Sequence, residues 1–563
     1  MNGVAQKLAG TTKGPGDTPH EFIFISTDPE NILKHGEYVW YAIEKNAKTQ
    51  KVIARITERA DAHGYPDTFL SDPLIAPQDI AAIMGYPREQ SNIYEISAAI
   101  MGYFDMDVGA FINPWIPPLP GSPVYFADSA MLAEALSRKK QNDIGSAWIG
   151  DLLTRDPGDA PIIIDMTEIT SSHIAVIAST GSGKSYLAGV LIEELMRPYN
   201  RASVLIIDPH GEYSTLQELT DLQEFRAGAD SQRTAYQPEV RIFKPAEVKV
   251  RLSTLEIGDL RYLLPDMTEK QQYLLEKGFK KMTADPRLKK KWTGKDLIQS
   301  IAENSGGDNE RDDTSTVGAL EWKIAARFVD NTMTFDPVDH LDLRDIFKPG
   351  QCSVLPLHEL DDRNQQVVAA TLLRRAFRAR ERAVQKKEPT DGDQNLDYPI
   401  FILIEEAHHF APANADVISL RILKQILAEG RKFGMGIGLI SQRPGKLDAD
   451  VLSQCQTQCI MRIVNEMDQN AVAASVESVG HELLRNLPAL SKGQVIISGA
   501  AVNTPVLCRV RRRITKHGGA SIDAPRNWVE SFSARTAAEQ RRNEAISAPP
   551  PNSMGIYRKR PTP

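Results

Sequence analysis

One short stretch constrains the fold of this chain more than any other. Residues 178–185 read Ala-Ser-Thr-Gly-Ser-Gly-Lys-Ser, which fits the phosphate-binding pattern GxxxxGK[ST] at every fixed position except the first, where Ala178 replaces glycine. The stretch follows an apolar run and precedes an amphipathic one, so it predicts a strand, a tight loop and a helix whose N-terminal N–H groups face a phosphate. We therefore expect a nucleotide-binding α/β domain.

The residues of this loop have separate expected roles. Glycines 181 and 183 let the backbone curl, Lys184 brings a positive charge to the β and γ phosphates of ATP, and the Ser185 hydroxyl binds Mg²⁺. The predicted nucleotide-binding residues of the loop are Thr180, Gly181, Ser182, Gly183, Lys184, Ser185 and Tyr186.

Hydrolysis needs acidic side chains in addition to a phosphate-binding loop. The apolar run IFILI ends in Glu405 and Glu406. We expect Glu405 to hold hydrated Mg²⁺ and Glu406 to polarise the attacking water as a catalytic residue. Aspartate is usual at the first of these positions, so the longer Glu405 is a departure. The alternative is that two acids simply begin a helix, where the helix dipole favours negative charge.

Two further residues are candidates for sensing or stabilising the γ phosphate. The apolar run GIGLIS ends just before Gln442, which is the candidate sensor. Arg431 ends the helix predicted ahead of that run, and from there a guanidinium can reach a neighbouring subunit and stabilise transition-state charge across the interface. The alternative for Arg431 is an ordinary surface position.

Hydrophobic patterning divides the chain into successive segments. Short β-rich runs broken by Gly and Pro predict a small β-barrel in residues 1–150. Continuous apolar runs predict strands buried on both faces of a mostly parallel sheet, in residues 151–253 and 341–520. Polar helical stretches in residues 254–340 indicate an insertion, and residues 521–563 a flexible tail. The continuous runs lie at 173–178, 203–208, 352–357, 400–405, 436–441, 458–463 and 494–498.

Whole-chain properties exclude several classes of protein. No run of about 18 apolar residues occurs and residues 1–20 lack a secretory signal, so we expect a cytoplasmic protein with no membrane partner. The net charge of −7 argues against coating nucleic acid through bulk positive charge, although it permits a local basic channel. The four cysteines have no CxxC spacing, so neither a disulfide framework nor a zinc site is implied.

Six motifs, in order along the chain, together resemble the HerA family of hexameric DNA translocases, which are related to FtsK. They are TGSGKS at 180–185, DPHGEY at 208–213, IEEAHHF at 404–410, AEGRKFG at 428–434, SQRP at 441–444 and RRITKHGG at 512–519. The resemblance covers most of the chain. It implies an α/β fold: a RecA-like P-loop core with a mostly parallel sheet, an N-terminal small β-barrel like the family's HAS barrel, a helical insertion and a C-terminal tail.

The resemblance also implies roles for single residues. Lys184 matches the phosphate-binding lysine, Glu406 the catalytic acid, Arg431 an arginine finger that acts in trans, and Gln442 the sensor. Three more positions are implied to lie near the nucleotide, namely Asp208, Glu212 and His517. The segment 512–517 resembles a brace that reaches an adjacent subunit.

The function implied by the resemblance is that of an ATP-dependent double-stranded DNA translocase or helicase, with ATP and Mg²⁺ as cofactors and a homo-hexameric ring as the assembly. Its implied partner is a NurA-like nuclease in DNA end processing, or a sirtuin-like NADase or another defence effector in antiphage defence. Two alternatives stay open: a ring scaffold that activates an effector with ATP as a switch, and a secretion or conjugation ATPase.

Overall fold

The computed structural model describes residues 7–16, 18, 20–45, 48–62, 79, 93–228, 234–305, 310–330, 333–389, 393–476, 481–518 and 523–547. The chain divides into two compact units, Met1–His517 and Gly518–Pro563. The first unit holds a β-barrel, a large α/β domain and a helical insertion.

The N-terminal part of the first unit is a closed β-barrel. Its strands are β1 (Leu8–Pro15), β2 (Glu21–Ser26), β3 (Tyr38–Lys45), β4 (Lys48–Asp61), β5 (Tyr94–Asp105), β6 (Ala110–Ile112) and β7 (Pro123–Phe126). Their order is β2-β1-β7-β3-β4-β5-β6, and a further antiparallel pairing of β2 with β5 closes the barrel. Burial alternates along β2, where Phe22 and Phe24 point inward, because successive side chains of a strand face opposite sides. The predicted small barrel is confirmed.

The α/β domain is built on a large sheet. Its strands are β8 (Ser146–Leu152), β9 (Pro161–Asp165), β10 (Ile174–Ile177), β11 (Val204–Asp208), β12 (Glu239–Ile242), β15 (Gln351–Pro356), β16 (Ile400–Ile404), β17 (Met435–Ser441), β18 (Thr457–Ile460), β19 (Gln494–Gly499) and β20 (Val506–Val510). The order is β12-β15-β11-β16-β17-β10-β18-β19-β20-β8-β9. A separate pair is formed by β13 (Val250–Arg251) and β14 (Phe335–Asp336).

Pairing in this sheet is parallel from β12 through β18 and antiparallel from β18 through β9. All seven continuous apolar runs fall on strands. The run at 494–498 differs from the parallel pairing that continuous apolar runs predict, because it forms β19, which is antiparallel to both of its neighbours. It is still apolar throughout its middle because it lies in the interior of the sheet, where both faces are covered.

Sixteen α-helices lie in the described residues, the last of them in the second unit. They are α1 (Ser129–Leu136), α2 (Met166–Ser172), α3 (Lys184–Leu195), α4 (Ile257–Leu263), α5 (Glu269–Ala284), α6 (Pro286–Lys290), α7 (Gly294–Glu303), α8 (Glu310–Phe328), α9 (Leu343–Ile346), α10 (Asp362–Val384), α11 (Ala407–Phe410), α12 (Ile418–Phe433), α13 (Ala449–Ser453), α14 (Glu466–Ser475), α15 (His481–Arg485) and α16 (Ala524–Ser547). Among the described residues, no helix is both long and apolar enough to span a bilayer.

The order of the central strands is that of a RecA-like core. Strand β10, which leads into the phosphate-binding loop, lies between β17 and β18, and β17 separates it from β16, which ends at the acidic pair. The carboxyl ends of parallel strands share one edge of a sheet, so the loop, the acids and the end of β17 converge there. The predicted fold class is confirmed.

The predicted segment boundaries at residues 150, 253, 340 and 520 stay predictions. Strand β8 crosses the first of them and pairs with β20 in the large sheet rather than in the barrel. The tail expected to be flexible contains α16, which is stabilised by ion pairs one turn apart, Arg526 with Glu530 at 3.0 Å and Arg535 with Glu539 at 2.9 Å. Residues 548–563 lie outside the described residues.

A buried histidine joins three elements of the core. His173 follows α2 and is 2% exposed; its Nδ1 accepts the Ile437 N–H of β17 at 3.1 Å, and its Nε2 lies 3.0 Å from the Leu427 carbonyl of α12. Nδ1 therefore lacks a proton and Nε2 carries one. Burial lowers the pKa of His173 to about 4, although the Leu427 carbonyl acts in the opposite direction.

We expect this histidine to make the fold sensitive to acid. Because the pKa of His173 is depressed in the folded chain, its contribution to the free energy of unfolding is complete above about pH 6.5. That contribution is lost as pH falls toward 4, and the total loss is up to about 3 kcal/mol. Urea unfolding at pH 7.0 and 4.5 measures the loss. Between these two pH values, the free energy of unfolding of a His173→Gln variant should fall by less than that of the native chain, whatever the variant's stability at pH 7.0. An equal fall would contradict this assignment.

Candidate active site

The loop between β10 and α3 is shaped to receive a phosphate. Gly181 and Gly183 have φ of +80° and +109°, a region that only glycine adopts without strain. The Ser182 hydroxyl donates to the Ser179 carbonyl at 2.5 Å and closes the turn. Gly183 precedes the first turn of α3 and makes no side-chain cap, so the N–H groups of that turn are left for an anion. Ala178 is fully buried and its N–H donates to the Ser441 carbonyl, so a side chain is accommodated at this position.

Lys184 is held by the acidic pair at the end of β16. Its Nζ lies 3.0 Å from Glu406 Oε1 and 3.4 Å from Glu405 Oε2, and the two glutamate side chains are 1% and 3% exposed. Burial disfavours the ammonium, but the two carboxylates outweigh it and raise the pKa of Lys184. Burial raises the pKa of Glu405, whereas for Glu406 the Lys184 ammonium and Gln442 overcome burial and lower the pKa. Of the two carboxyl groups, Glu406 is thus the one whose ionised form is favoured relative to an ordinary glutamate.

Gln442 connects the acidic pair with the phosphate-binding loop. Its Nε2 donates to Glu406 Oε1, and its Oε1 accepts the Thr180 hydroxyl at 2.6 Å. The side-chain amide therefore touches both the Glu406 carboxylate and the tip of the loop. This is the position from which a sensor can respond when a γ phosphate enters between the two.

The DPHGEY motif supports the site from β11. The Glu212 carboxylate accepts the Ser185 hydroxyl at 2.6 Å, which leaves the Ser185 lone pairs free for a metal ion. Asp208 is 1% exposed and its two oxygens accept backbone N–H groups of residues 210, 211 and 213, so it shapes the turn. The buried Tyr213 hydroxyl donates to Glu405 Oε1 and fixes the longer side chain that replaces the usual aspartate.

Two residues that the sequence did not single out belong to this network. Tyr213 lies in the DPHGEY motif directly after the acidic Glu212, and that position is the sequence signal that could have pointed to it. His408 lies two residues after Glu406, and its Nδ1 is 3.3 Å from Glu406 Oε2 and 3.3 Å from Ser441 Oγ. For His408, the sequence signal was its place in the IEEAHHF motif, two residues after Glu406.

The residues around the site fit Mg²⁺ held largely by phosphate and water. Among the described residues, no group of three or more His, Cys, Asp or Glu side chains forms a metal cage. Mg²⁺ commonly keeps several waters and uses one or two protein oxygens together with substrate phosphates. Ser185 Oγ is the available inner ligand, and Glu405 can act through water.

The segment 511–517 lies against α3 of its own chain, and its expected role as a brace to an adjacent subunit stays a prediction. Arg511 donates to Glu193 and Glu194 at 2.8 Å each, and both glutamates are buried. The Glu193 carboxylate also accepts the N–H groups of residues 514 and 515. These contacts explain why α3 is buried on nearly every side instead of along the single apolar face predicted from sequence.

The same segment carries His517 to the start of α3. The His517 and Tyr186 rings meet edge to face with centroids 5.9 Å apart, and the Arg513 N–H donates to the Tyr186 hydroxyl at 2.6 Å. Burial and the Arg513 guanidinium lower the pKa of His517. Tyr186, the residue after Ser185, and His517 therefore stand together at the start of α3, and their contact with a nucleotide stays a prediction.

Arg431 does not join the other predicted site residues. It is exposed in the last turn of α12, just before β17 begins, whereas Gln442 follows the end of that strand. A seven-residue strand rises by roughly 20 Å. Arg431 and the site of its own chain are therefore at opposite edges of the sheet.

Comparison with known proteins places these features in a family. A family model described as the central domain of helicase HerA matches residues 147–376. The DNA double-strand break repair helicase HerA of Pyrococcus furiosus is 30% identical over 541 residues, which cover 90% of this chain and 92% of that protein. The chain belongs to the HerA family. A probable helicase of Methanocaldococcus jannaschii is 29% identical over 432 residues, or 75% of this HerA-family chain and 77% of that protein.

A solved structure of VirB4 from Thermoanaerobacter pseudethanolicus aligns with a TM-score of 0.45 and 16% identity, over 66% of this chain and 98% of its own. Family membership and the P-loop site together make this HerA-family chain an ATPase of the helicase and translocase class.

We expect the contact of Arg511 with α3 to contribute strongly to stability. An Arg511→Met substitution leaves Glu193 and Glu194 buried without their guanidinium, which should destabilise the chain by about 3–5 kcal/mol. The free energy of unfolding in urea measures this. Arg512→Met is the matched control, because Arg512 is exposed and should change stability by no more than about 0.5 kcal/mol. Equal effects of the two substitutions would contradict the role of the buried cluster.

Proposed function

We propose that this HerA-family chain is a hexameric, ATP-driven translocase or helicase on double-stranded DNA, working with a partner nuclease or another effector. The observation that carries the proposal is the contact of Lys184 with Glu406, which Gln442 links to Thr180. Phosphate-binding charge, catalytic base and sensor thereby form one connected group. The Pyrococcus relative is named for double-strand break repair, which supports DNA as the substrate.

Nucleotide binding in this proposal is an exchange of anions around Lys184. The ammonium leaves the Glu405 and Glu406 carboxylates for the β and γ phosphates of ATP, with Thr180 and the loop N–H groups closing over them. Glu406, released on its Oε1 side, orients the attacking water and accepts its proton. Bound Mg²⁺ would neutralise charge on the phosphates, held by Ser185 directly and by Glu405 through water.

Arg431 completes the site of a neighbouring subunit in this proposal. Its position at the opposite sheet edge from its own Gln442 supports action in trans. In a head-to-tail ring each interface joins the phosphate loop of one subunit to the Arg431 edge of the next, and closure of the rotation gives a hexamer. Loss of the γ phosphate then loosens the interface, and subunit movement is coupled to a sequence-independent grip on DNA phosphates.

The partner is proposed as a nuclease of the NurA kind in end processing, or as a sirtuin-like NADase or another effector in antiphage defence. The cytoplasmic location expected from the sequence stays a prediction.

We expect Lys184→Ala and Glu406→Gln to abolish most ATP hydrolysis for different reasons. Lys184→Ala should weaken nucleotide binding as well as lower kcat, because the phosphate-binding charge is lost. Glu406→Gln should lower kcat by roughly 100-fold or more while ATP still binds, because only the base is lost. Steady-state hydrolysis with and without duplex DNA, together with ATP-analogue binding, separates the two. Glu466→Gln, at an exposed position of α14, is the matched control. Undiminished hydrolysis by both site variants would falsify the assignment.

Mixing two inactive variants tests whether Arg431 acts in trans. Arg431→Ala and Glu406→Gln subunits, mixed in equal amounts and allowed to exchange, should regain activity, because about a quarter of the interfaces then join an intact Glu406 to an intact Arg431. Neither variant alone should show this activity. Arg421→Ala, at an exposed arginine on the same helix, should be active without mixing. Absence of recovery in mixed rings of confirmed composition would argue for a role within one subunit or for none.

A further inference from the structure

The two oxygens of the Glu406 carboxylate have different surroundings. Oε1 faces the phosphate loop and interacts with Lys184 at 3.0 Å and with the Gln442 amide. Oε2 is buried and has no hydrogen-bond partner in the part of the chain that the structure describes. His408 Nδ1 lies 3.3 Å from Oε2 without hydrogen-bond alignment. A buried carboxylate oxygen without a donor is costly, so its surroundings need an explanation.

The backbone and Ser441 fix the position of His408. Glu406 has φ of +48° and ψ of +47°, a left-handed conformation that is uncommon for a residue with a side chain, and α11 begins directly after it. This turn places the His408 ring against the end of β17, where Ser441 Oγ lies 3.3 Å from Nδ1. Ser441 Oγ in turn accepts the N–H of Arg443 at 3.1 Å. The ring is thus attached to the strand that also presents Gln442.

Two contacts of Nδ1 bear on its protonation. An ionised carboxylate only accepts hydrogen bonds, so a bare Nδ1 facing Glu406 Oε2 would oppose two lone pairs. The Nδ1–H tautomer of the neutral ring is the one that can donate to Oε2, and Ser441 Oγ can accept from it or donate to the other tautomer. The charged and titratable groups around the ring are Glu406, His409, Arg443 and Lys446; burial first, then the neighbouring His409 and the cations, lower the pKa of His408 to about 4 despite Glu406. At neutral pH the ring offers a donor without adding charge.

We propose that His408 is the positioning residue of Glu406: its Nδ1–H donates a hydrogen bond to Oε2 when ATP binding moves Lys184 to the phosphates. Oε1 is then the oxygen that orients water. The inference rests on the proposed role of Glu406 as the base. Without a second holder, departure of Lys184 would leave only groups on the Oε1 side, the Gln442 amide and the exposed His210 ring at 4.0 Å, to hold the carboxylate. Catalytic hydrogen bonds that are long in the free enzyme often shorten when substrate binds, and the 3.3 Å contact is within a small movement of that state.

The test compares His408→Asn with His408→Leu in the full-length assembled protein. The Asn Nδ2 occupies the place of the imidazole Nδ1 and keeps the donor, whereas Leu has a similar shape and no donor. We expect His408→Leu to lower kcat for ATP by about 10- to 100-fold with KM within a few-fold of native, since misplacing a reacting group has effects of this size. His408→Asn should restore kcat to within a few-fold of native.

His409→Leu is the matched control, because His409 is exposed and is the next residue along the same helix. Binding of a slowly hydrolysed ATP analogue, Tm and oligomeric state are measured for every variant. A native rate for His408→Leu overturns the proposal. Equal losses in the Leu and Asn variants, or a loss accompanied by weaker analogue binding or lower Tm, assign His408 a packing role and overturn it as well.

A double-variant cycle tells failure of this inference from failure of the proposed function. In a Glu406→Gln background, adding His408→Leu should change the residual rate by no more than about two-fold, because the two residues act as one unit. A full further loss would show that His408 acts independently of Glu406. If Glu406→Gln itself has native activity, Glu406 is not the base and both proposals fail. If Glu406→Gln is inactive and His408→Leu is fully active, only the proposal about His408 fails.

Discussion

The interaction on which the rest of the site depends is the ion pair of Lys184 with Glu405 and Glu406. A lysine charge at the start of α3 and two carboxylates at the end of β16 are each unfavourable to bury alone, and together they are partly neutralised. The pair lies at the carboxyl edge of the sheet, where Gln442 contacts it just after the end of β17. In the proposed mechanism, binding of ATP is a competition between two sets of anions for one cation. That competition would couple nucleotide binding to release of Glu406.

A second buried network keeps the phosphate loop in place. Arg511 donates to the carboxylates of Glu193 and Glu194, and the N–H groups of residues 514 and 515 donate to Glu193, so this segment is joined to α3 through buried polar contacts. Gly189 lies where the Arg513 guanidinium passes; a Cβ there would come within 2.6 Å of it. The end of the folded first unit and the loop that binds phosphate are thereby one structural element. Any movement of residues 511–517 is transmitted to Tyr186, which follows the loop directly.

The topology separates two functions across the sheet. Every group that touches the phosphate in the proposed reaction lies at the carboxyl edge, whereas Arg431 lies at the amino edge, beside the start of β17. In the proposed mechanism a neighbouring subunit supplies the second edge, because Arg431 does not reach the carboxyl edge of its own sheet.

The sequence by itself determined the features that depend on neighbours along the chain: the phosphate loop with Lys184, the acidic pair, the apolar strands, the small barrel and the family. These follow from residue spacing, because a strand, a turn and a helix start are local events. Only the tertiary structure decided which oxygen of Glu406 meets Lys184, that Tyr213 fixes Glu405, that His408 faces the free oxygen, and that residues 511–517 fold onto α3. It also gave β19 its antiparallel direction. These outcomes depend on contacts between residues far apart in sequence, and hydrophobic periodicity carries no record of which buried polar groups will meet.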